Sequence, residues 1–192
     1  MVLVIDTSSA TSTLALLRPS DPGWEAMEEA YFPSGRGEGL TARVRQLVPP
    51  AQLSGVAVAV GPGSFTGLRV GVSYGVGLAM GLKIPLYGLG SLELVAARSK
   101  RPILALSEAG RERLYYLPPG GELGHGEAML LPQEWPAWGL LQPATVALVE
   151  AAGMCMLTEN EIDSFALAAA RIMTRAEPLE YSEVKLHYAP AK

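Results

Sequence analysis

Apolar and polar positions change their spacing several times along this chain, and each change marks an element boundary. Val2 to Ile5 is a short apolar run, Thr7 to Thr13 is small and hydroxylated, and Leu14 to Leu17 is apolar again, which predicts two antiparallel strands around a polar turn. Glu28 to Phe32 supplies a third strand. Beyond the glycine-rich turn 33–39, Leu40, Val44, Leu47 and Val48 have helical spacing ended by Pro49. Gly55 to Val60 is an uncharged, β-branched run of the kind buried on both faces of a sheet, and Gly61-Pro62-Gly63-Ser64 stops it before a long helix over Phe65 to Leu82. Ile84 to Gly88 repeats the strand pattern, with Ser91 placed to cap a helix from Leu92 towards Ser99.

The pattern shifts at Arg101-Pro102, so residues 1–100 are read as a first lobe of order βββαβα and 101–192 as a second, reduced lobe. Ile103 to Leu106 and Arg113 to Leu117 are predicted strands joined by Ser107-Glu108-Ala109-Gly110. Residues 118–143, rich in Pro and Gly, read as irregular until a strand at Thr145 to Val149. Thr158 and Glu161 have the spacing of a capping box, and Ile162, Phe165, Ala166, Ala169 and Ile172 then share one face of a last helix.

Composition narrows the picture. The chain has 192 residues, 49% hydrophobic and 18% charged, enough apolar material for a real interior. A net charge of −4 removes any global electrostatic reason to bind nucleic acid or an anionic membrane, leaving only local patches such as Arg98, Lys100 and Arg101, read as a solvated helix end. The lone Cys155 cannot form an internal disulfide, and with His125 and His187 the only histidines, a Cys/His zinc site cannot be assembled; a reducing cytoplasm is expected. The apolar start runs directly into Asp6, so no signal peptide is expected. Val70 to Leu82 falls short of the ~20 apolar residues of a membrane span.

Three segments carry candidate chemistry. Asp6-Thr7-Ser8-Ser9 ends a buried strand, where a carboxylate is costly unless hydrogen-bonded; it either holds phosphate and metal or satisfies its own turn. Gly61 to Arg69 (GPGSFTGLR) lies at a strand-to-helix junction that favours an anion, yet it lacks the Walker lysine and the third glycine of the dinucleotide fingerprint, and Ser64 or Thr66 as an N-cap explains its hydroxyls equally well. The third is the helix itself. Gly67, Gly71, Gly75 and Ala79 stand four apart, with Gly77 and Gly81 on an adjoining strip. Each interior glycine costs roughly 0.8–1 kcal/mol relative to alanine, which close approach of another backbone offsets. That element is this chain's own sheet or a foreign one, and glycines on two strips favour a foreign helix. No metallopeptidase helix with paired histidines and no G-x-S-x-G elbow is present.

Ile5-Asp6-Thr7-Ser8, GPGSFTGLR over Gly61 to Arg69, and PLYGLGSLE over Pro85 to Glu93 together resemble the TsaB (YeaZ) family. The likeness is clearest over residues 1–97; beyond it, Glu108-Ala109 and Leu114-Tyr115 resemble the family's D-A-R-x-x-E-V-Y stretch with Glu for Asp. The resemblance implies an α/β, actin-like (ASKHA, ribonuclease H-like) fold of two lobes. It also implies a non-catalytic scaffold or activating subunit in threonylcarbamoyladenosine modification of tRNA, in the cytoplasm. Such a subunit pairs with a TsaD-like paralogue, works with a TsaE-like ATPase, forms homodimers when alone, and meets tRNA only through the complex. It places Gly67, Gly71, Val72, Gly75, Leu78 and Ala79 at the partner contact, so that Gly75→Leu is expected to break the complex in a folded monomer. Asp6, Thr7, Ser8, Gly61, Gly63 and Ser64 are left as a remnant nucleotide site, with weak ATP or ADP at or near the subunit boundary and no catalytic or metal-binding residue. The alternatives are an ASKHA-type ATPase or kinase and an M22 glycoprotease-like metallopeptidase. Gly35-Arg36-Gly37-Glu38 replaces the usual R-x-H-S-E, with only Glu38 matching, and Tyr188-Ala189-Pro190 replaces Y-L-R near the end.

Overall fold

The computed structural model describes residues 1–34 and 38–187. Gly35, Arg36, Gly37 and the tail from Tyr188, where the chain departs from the family pattern, lie outside the described residues. The first sheet has six strands in the order β10-β5-β4-β1-β2-β3. These are β1 (Val2–Asp6), β2 (Thr11–Pro19), β3 (Trp24–Pro33), β4 (Gly55–Gly61), β5 (Leu86–Gly90) and β10 (Pro178–Leu179). β1 pairs antiparallel with β2 and parallel with β4, and β4 runs parallel to β5. Between the strands come α1 (Glu38–Leu47), α2 (Phe65–Leu82) and α3 (Ser91–Ala96).

The uncharged runs take the centre because they are covered twice. Leu3, Ile5, Leu14, Leu16, Val56 and Val58 face α1 and α2, meeting Leu40, Val44, Val72 and Ala79. The alternate positions Val2, Val4, Ala15, Leu17, Ala57 and Ala59 face α3 and α5 (Phe165–Met173), meeting Leu94, Phe165, Ala166, Ala169 and Ile172. A second sheet of four strands, order β8-β7-β6-β9, is built from β6 (Leu104–Gly110), β7 (Arg113–Leu117), β8 (Gly124–Glu127) and β9 (Ala137–Trp138). α4 (Pro143–Ala151) and the segment after it cover it, through Val149, Ala152 and Met154 against Leu104, Leu106 and Leu114.

Several expectations need correction. The strand predicted at Thr145 to Val149 is part of α4. Pro143 opens the helix, and the Glu108 carboxylate accepts from the Gln142 N–H (2.9 Å) and the Thr145 hydroxyl (2.6 Å). Residues 118–143 hold the two short strands β8 and β9. The boundary at residue 101 places too much in the second lobe: α5 packs on the first sheet, and β10 pairs with β5. Ser91 does not cap α3; its hydroxyl accepts from the Gly61 N–H at 3.1 Å. The Thr158–Glu161 capping box exists but closes a single 3₁₀ turn, and α5 starts after Ser164, whose hydroxyl accepts from the Leu167 N–H at 3.2 Å. No described helix is long and apolar enough to cross a membrane.

Candidate functional site

The end of β1 and the start of α2 meet backbone to backbone. Asp6 is buried, and its Oδ1 accepts from the Ser8 N–H at 2.8 Å. Burial pushes the Asp6 carboxyl above the usual carboxylate range, and the Ser8 hydroxyl and amide counter part of that rise. Thr7 Oγ1 donates to the Gly67 carbonyl at 2.6 Å, and the Ser64 N–H donates to the Ser8 carbonyl at 2.6 Å. Ser64 Oγ in turn accepts from the Gly67 N–H at 3.2 Å and is the N-cap of α2. A Cβ on Gly63 would collide with the Ser8 carbonyl, and one on Gly67 with the Thr7 carbonyl. Asp6, Thr7, Ser8, Gly63 and Ser64 therefore lie together at this junction, where the polar groups bond to one another and to Gly67.

Gly61 stands apart from this knot. It has a φ of +108°, which favours glycine, and it lines a cavity of about 330 Å³ with Gly88, Gly90, Glu93 and Leu117. The His187 N–H donates to the Val60 carbonyl at 2.8 Å, which brings the described end of the chain onto the same cavity.

The glycine stripe of α2 faces inward, which reverses the reading of it as a ridge for a foreign helix. A Cβ on Gly71 would strike Thr7 Oγ1, one on Gly75 would strike Val58 Cγ1, and Val72 and Ala79 are buried. Leu78 is half-buried and packs against the core. The helix gives up its side chains here so that it can lie close on β1 and β4, and dispersion contact offsets the propensity cost. The open side is the other one. A Cβ on Gly77 or Gly81 would meet nothing within 4 Å, and Phe65 and Met80 are 52% and 54% exposed. The Arg69 guanidinium lies 3.7 Å from the Phe65 ring centroid. Sequence reasoning noted the Gly77–Gly81 strip but not Phe65, Arg69 or Met80. The signal was available: the eighteen residues of α2 contain no acid and a single base.

Among the described residues no group of three or more His, Cys, Asp and Glu side chains is placed to hold a metal ion. His125 packs against the Tyr115 ring with centroids 5.2 Å apart; partial burial and the nearby Arg113 lower its pKa.

Comparison with known proteins adds relatives to this geometry. The family model described as TsaD, tRNA N6-adenosine threonylcarbamoyltransferase, matches residues 45–128, which include all of α2. The tRNA threonylcarbamoyladenosine biosynthesis protein TsaB of Bacillus subtilis (strain 168) is 36% identical over 104 residues, covering 52% of this chain and 44% of that one. The protein of the same name from Escherichia coli (strain K12) is 26% identical over 151 residues, covering 69% and 63%. The chain thus spans about half the length of the curated relatives it matches. The solved structure of YeaZ from Pseudomonas aeruginosa superposes with a TM-score of 0.74 at 22% identity, over 97% of this chain and 98% of that one, and shares its fold. The two sheets with their helices make an α/β fold of two lobes, the fold of that YeaZ structure. The relatives it resembles in sequence and in fold carry the names TsaB and YeaZ.

Proposed function

We propose that this chain is a non-catalytic scaffold or activating subunit in tRNA threonylcarbamoyladenosine biosynthesis, docking on a TsaD-like paralogue through the outward face of α2. One observation carries the reading. Phe65, Arg69, Gly77, Met80 and Gly81 form an open, acid-free helix face, with bare backbone at two positions where a second helix can approach closely. The names of the B. subtilis and E. coli relatives supply the pathway. The hydrogen bonds of Asp6, Thr7, Ser8 and Ser64 support a non-catalytic role, because these groups are spent within the fold. In the absence of the paralogue the same face pairs two copies of the chain. A TsaE-like ATPase and tRNA join only through the assembled complex, in the cytoplasm, and weakly held ATP or ADP belongs at the subunit boundary.

Size-exclusion chromatography with and without the TsaD-like paralogue tests this. The wild-type chain is expected to co-elute, and Gly77→Arg to lose co-elution with its fold intact and its Tm no lower. Co-elution that survives Gly77→Arg counts against the docking face. ATP turnover by the isolated chain, abolished by Asp6→Ala, would instead establish the ATPase or kinase alternative, and bound metal with peptide cleavage the metallopeptidase one.

A further inference from the structure

The second sheet ends at β8, and among the described residues no strand pairs with its outer side. An edge strand turns the N–H and C=O of every second residue away from its neighbour, and β8 carries neither a proline nor a lysine to blunt that edge. On β7, Arg113 stands opposite Glu127, Leu114 opposite Gly126, Tyr115 opposite His125 and Tyr116 opposite Gly124. Leu114 and Gly126 are buried on the inner face, whereas His125 and Glu127 lie on the other face and are exposed. Large apolar side chains flank the strand at both ends: Leu123 is 45% exposed, Met129 69% and Leu130 75%.

The residues between those apolar ends select the partner. A strand pairs antiparallel with a copy of itself about a two-fold axis, and because opposed residues share a face, the axis lies between the two copies of one residue. Four positions are open to it. An axis at His125 sets imidazole against imidazole, one at Glu127 sets carboxylate against carboxylate, and one at Gly124 leaves His125 against Leu123. An axis at Gly126 sets His125 of each copy against Glu127 of the other, a donor against an acceptor, twice. Glu127 is free for this, since it forms no ion pair among the described residues. The same register carries Leu123 of one copy towards the turn that holds Met129 of the other. Four residues make a short ladder, and burial of these apolar ends adds to it. The edge strand of the first sheet, β3, holds Glu25, Glu28 and Glu29 with no base, so two copies of it repel.

We propose that β8 is a self-association edge, through which two copies of this chain pair antiparallel over Gly124–Glu127 about Gly126 and join their four-stranded sheets into one of eight. The occupant is a second copy because the strand complements itself in this register. The edge belongs to the second sheet and α2 packs on the first, so pairing through β8 and docking through α2 stand or fall separately.

Sedimentation velocity of the full chain carrying Gly77→Arg, which blocks the α2 face, tests the proposal. That chain is expected to form a dimer, with amide hydrogen exchange over 124–127 slowing as its concentration rises. His125→Glu sets carboxylates against carboxylates, and Glu127→Lys sets ammonium groups against imidazoles. Each exposed change, added singly, is expected to weaken the dimer about tenfold or more with the circular dichroism unchanged. Mixed together, the two variants are expected to pair with each other, because the new carboxylate of one faces the new ammonium of the other. A monomer at every concentration overturns the proposal and, where the wild-type chain still pairs, assigns that pairing to α2. A dimer protected only outside 124–127, a dimer that both variants keep, or two monomeric variants that do not pair on mixing overturns it as well.

Discussion

At the scale of single residues, the glycines of one helix divide by what lies opposite them. Gly71 faces Thr7 and Gly75 faces Val58, with no room for a Cβ, whereas Gly77 faces open space. Helix propensity alone would make every glycine-to-alanine change here stabilising by about 0.8–1 kcal/mol. Denaturant unfolding is expected to show that gain for Gly77→Ala and a net loss of about 1–3 kcal/mol for Gly71→Ala, where overpacking outweighs propensity. Gly75→Leu, first expected to spare the monomer, is expected to prevent its folding. Equal effects of Gly71→Ala and Gly77→Ala would mean that the helix does not sit so close to β1.

Asp6 gives a second residue-scale test. Its carboxyl is held above the unfolded value of about 3.9, so the folded chain keeps that proton to higher pH than the unfolded chain does. Across that window the folded state binds more protons, and stability falls as pH rises. Asp6→Asn keeps an oxygen for the Ser8 N–H while removing the charge. Its Tm is expected to exceed the wild-type value at pH 7, with the difference shrinking towards pH 4. A lower Tm at pH 7 would show that the carboxylate is favoured where it stands.

At the scale of elements, legibility followed local pattern. β1, β2 and β4 are short apolar runs bounded by turn residues, and α2 follows a capped junction, so chain-local signals suffice for each. The direction in which α2 faces was not legible, because a stripe of small residues marks close approach without naming the neighbour. α4 was misread for a related reason. Thr145, Val146 and Val149 have strand propensity, but the helix is set by a carboxylate thirty-four residues earlier, through Glu108 to Gln142. The same device recurs where Glu29 Oε2 accepts from the Ala166 N–H of α5 at 2.8 Å. Glu108→Ala is expected to cost about 1–2 kcal/mol and to raise hydrogen exchange over 143–151 more than over α2. Uniform exchange across both helices would show that Glu108 is not a local cap.

At the scale of the molecule, the chain leaves the first lobe and returns to it at one point. The Asp163 N–H donates to the Arg98 carbonyl at 2.7 Å, so the segments on either side of the second sheet are already neighbours. What returns is half of a face: Phe165, Ala166, Ala169 and Ile172 cover Val2, Val4, Ala15, Leu17, Ala57 and Ala59. A chain cut after residue 100 would keep α3 but lose α5 from that side of the sheet, exposing several buried side chains at about 1.5–3 kcal/mol each, comparable to the entire stability of a domain. Residues 1–100 alone are therefore expected not to fold, despite containing the whole βββαβα order. Replacing 104–157 by a short glycine–serine linker keeps α5 and β10 in place, and such a chain is expected to unfold cooperatively on heating. Cooperative unfolding of residues 1–100 by themselves would show that α5 is an ornament on the first lobe, and failure of the linked chain would show that the second sheet is needed to hold Arg98 and Asp163 together.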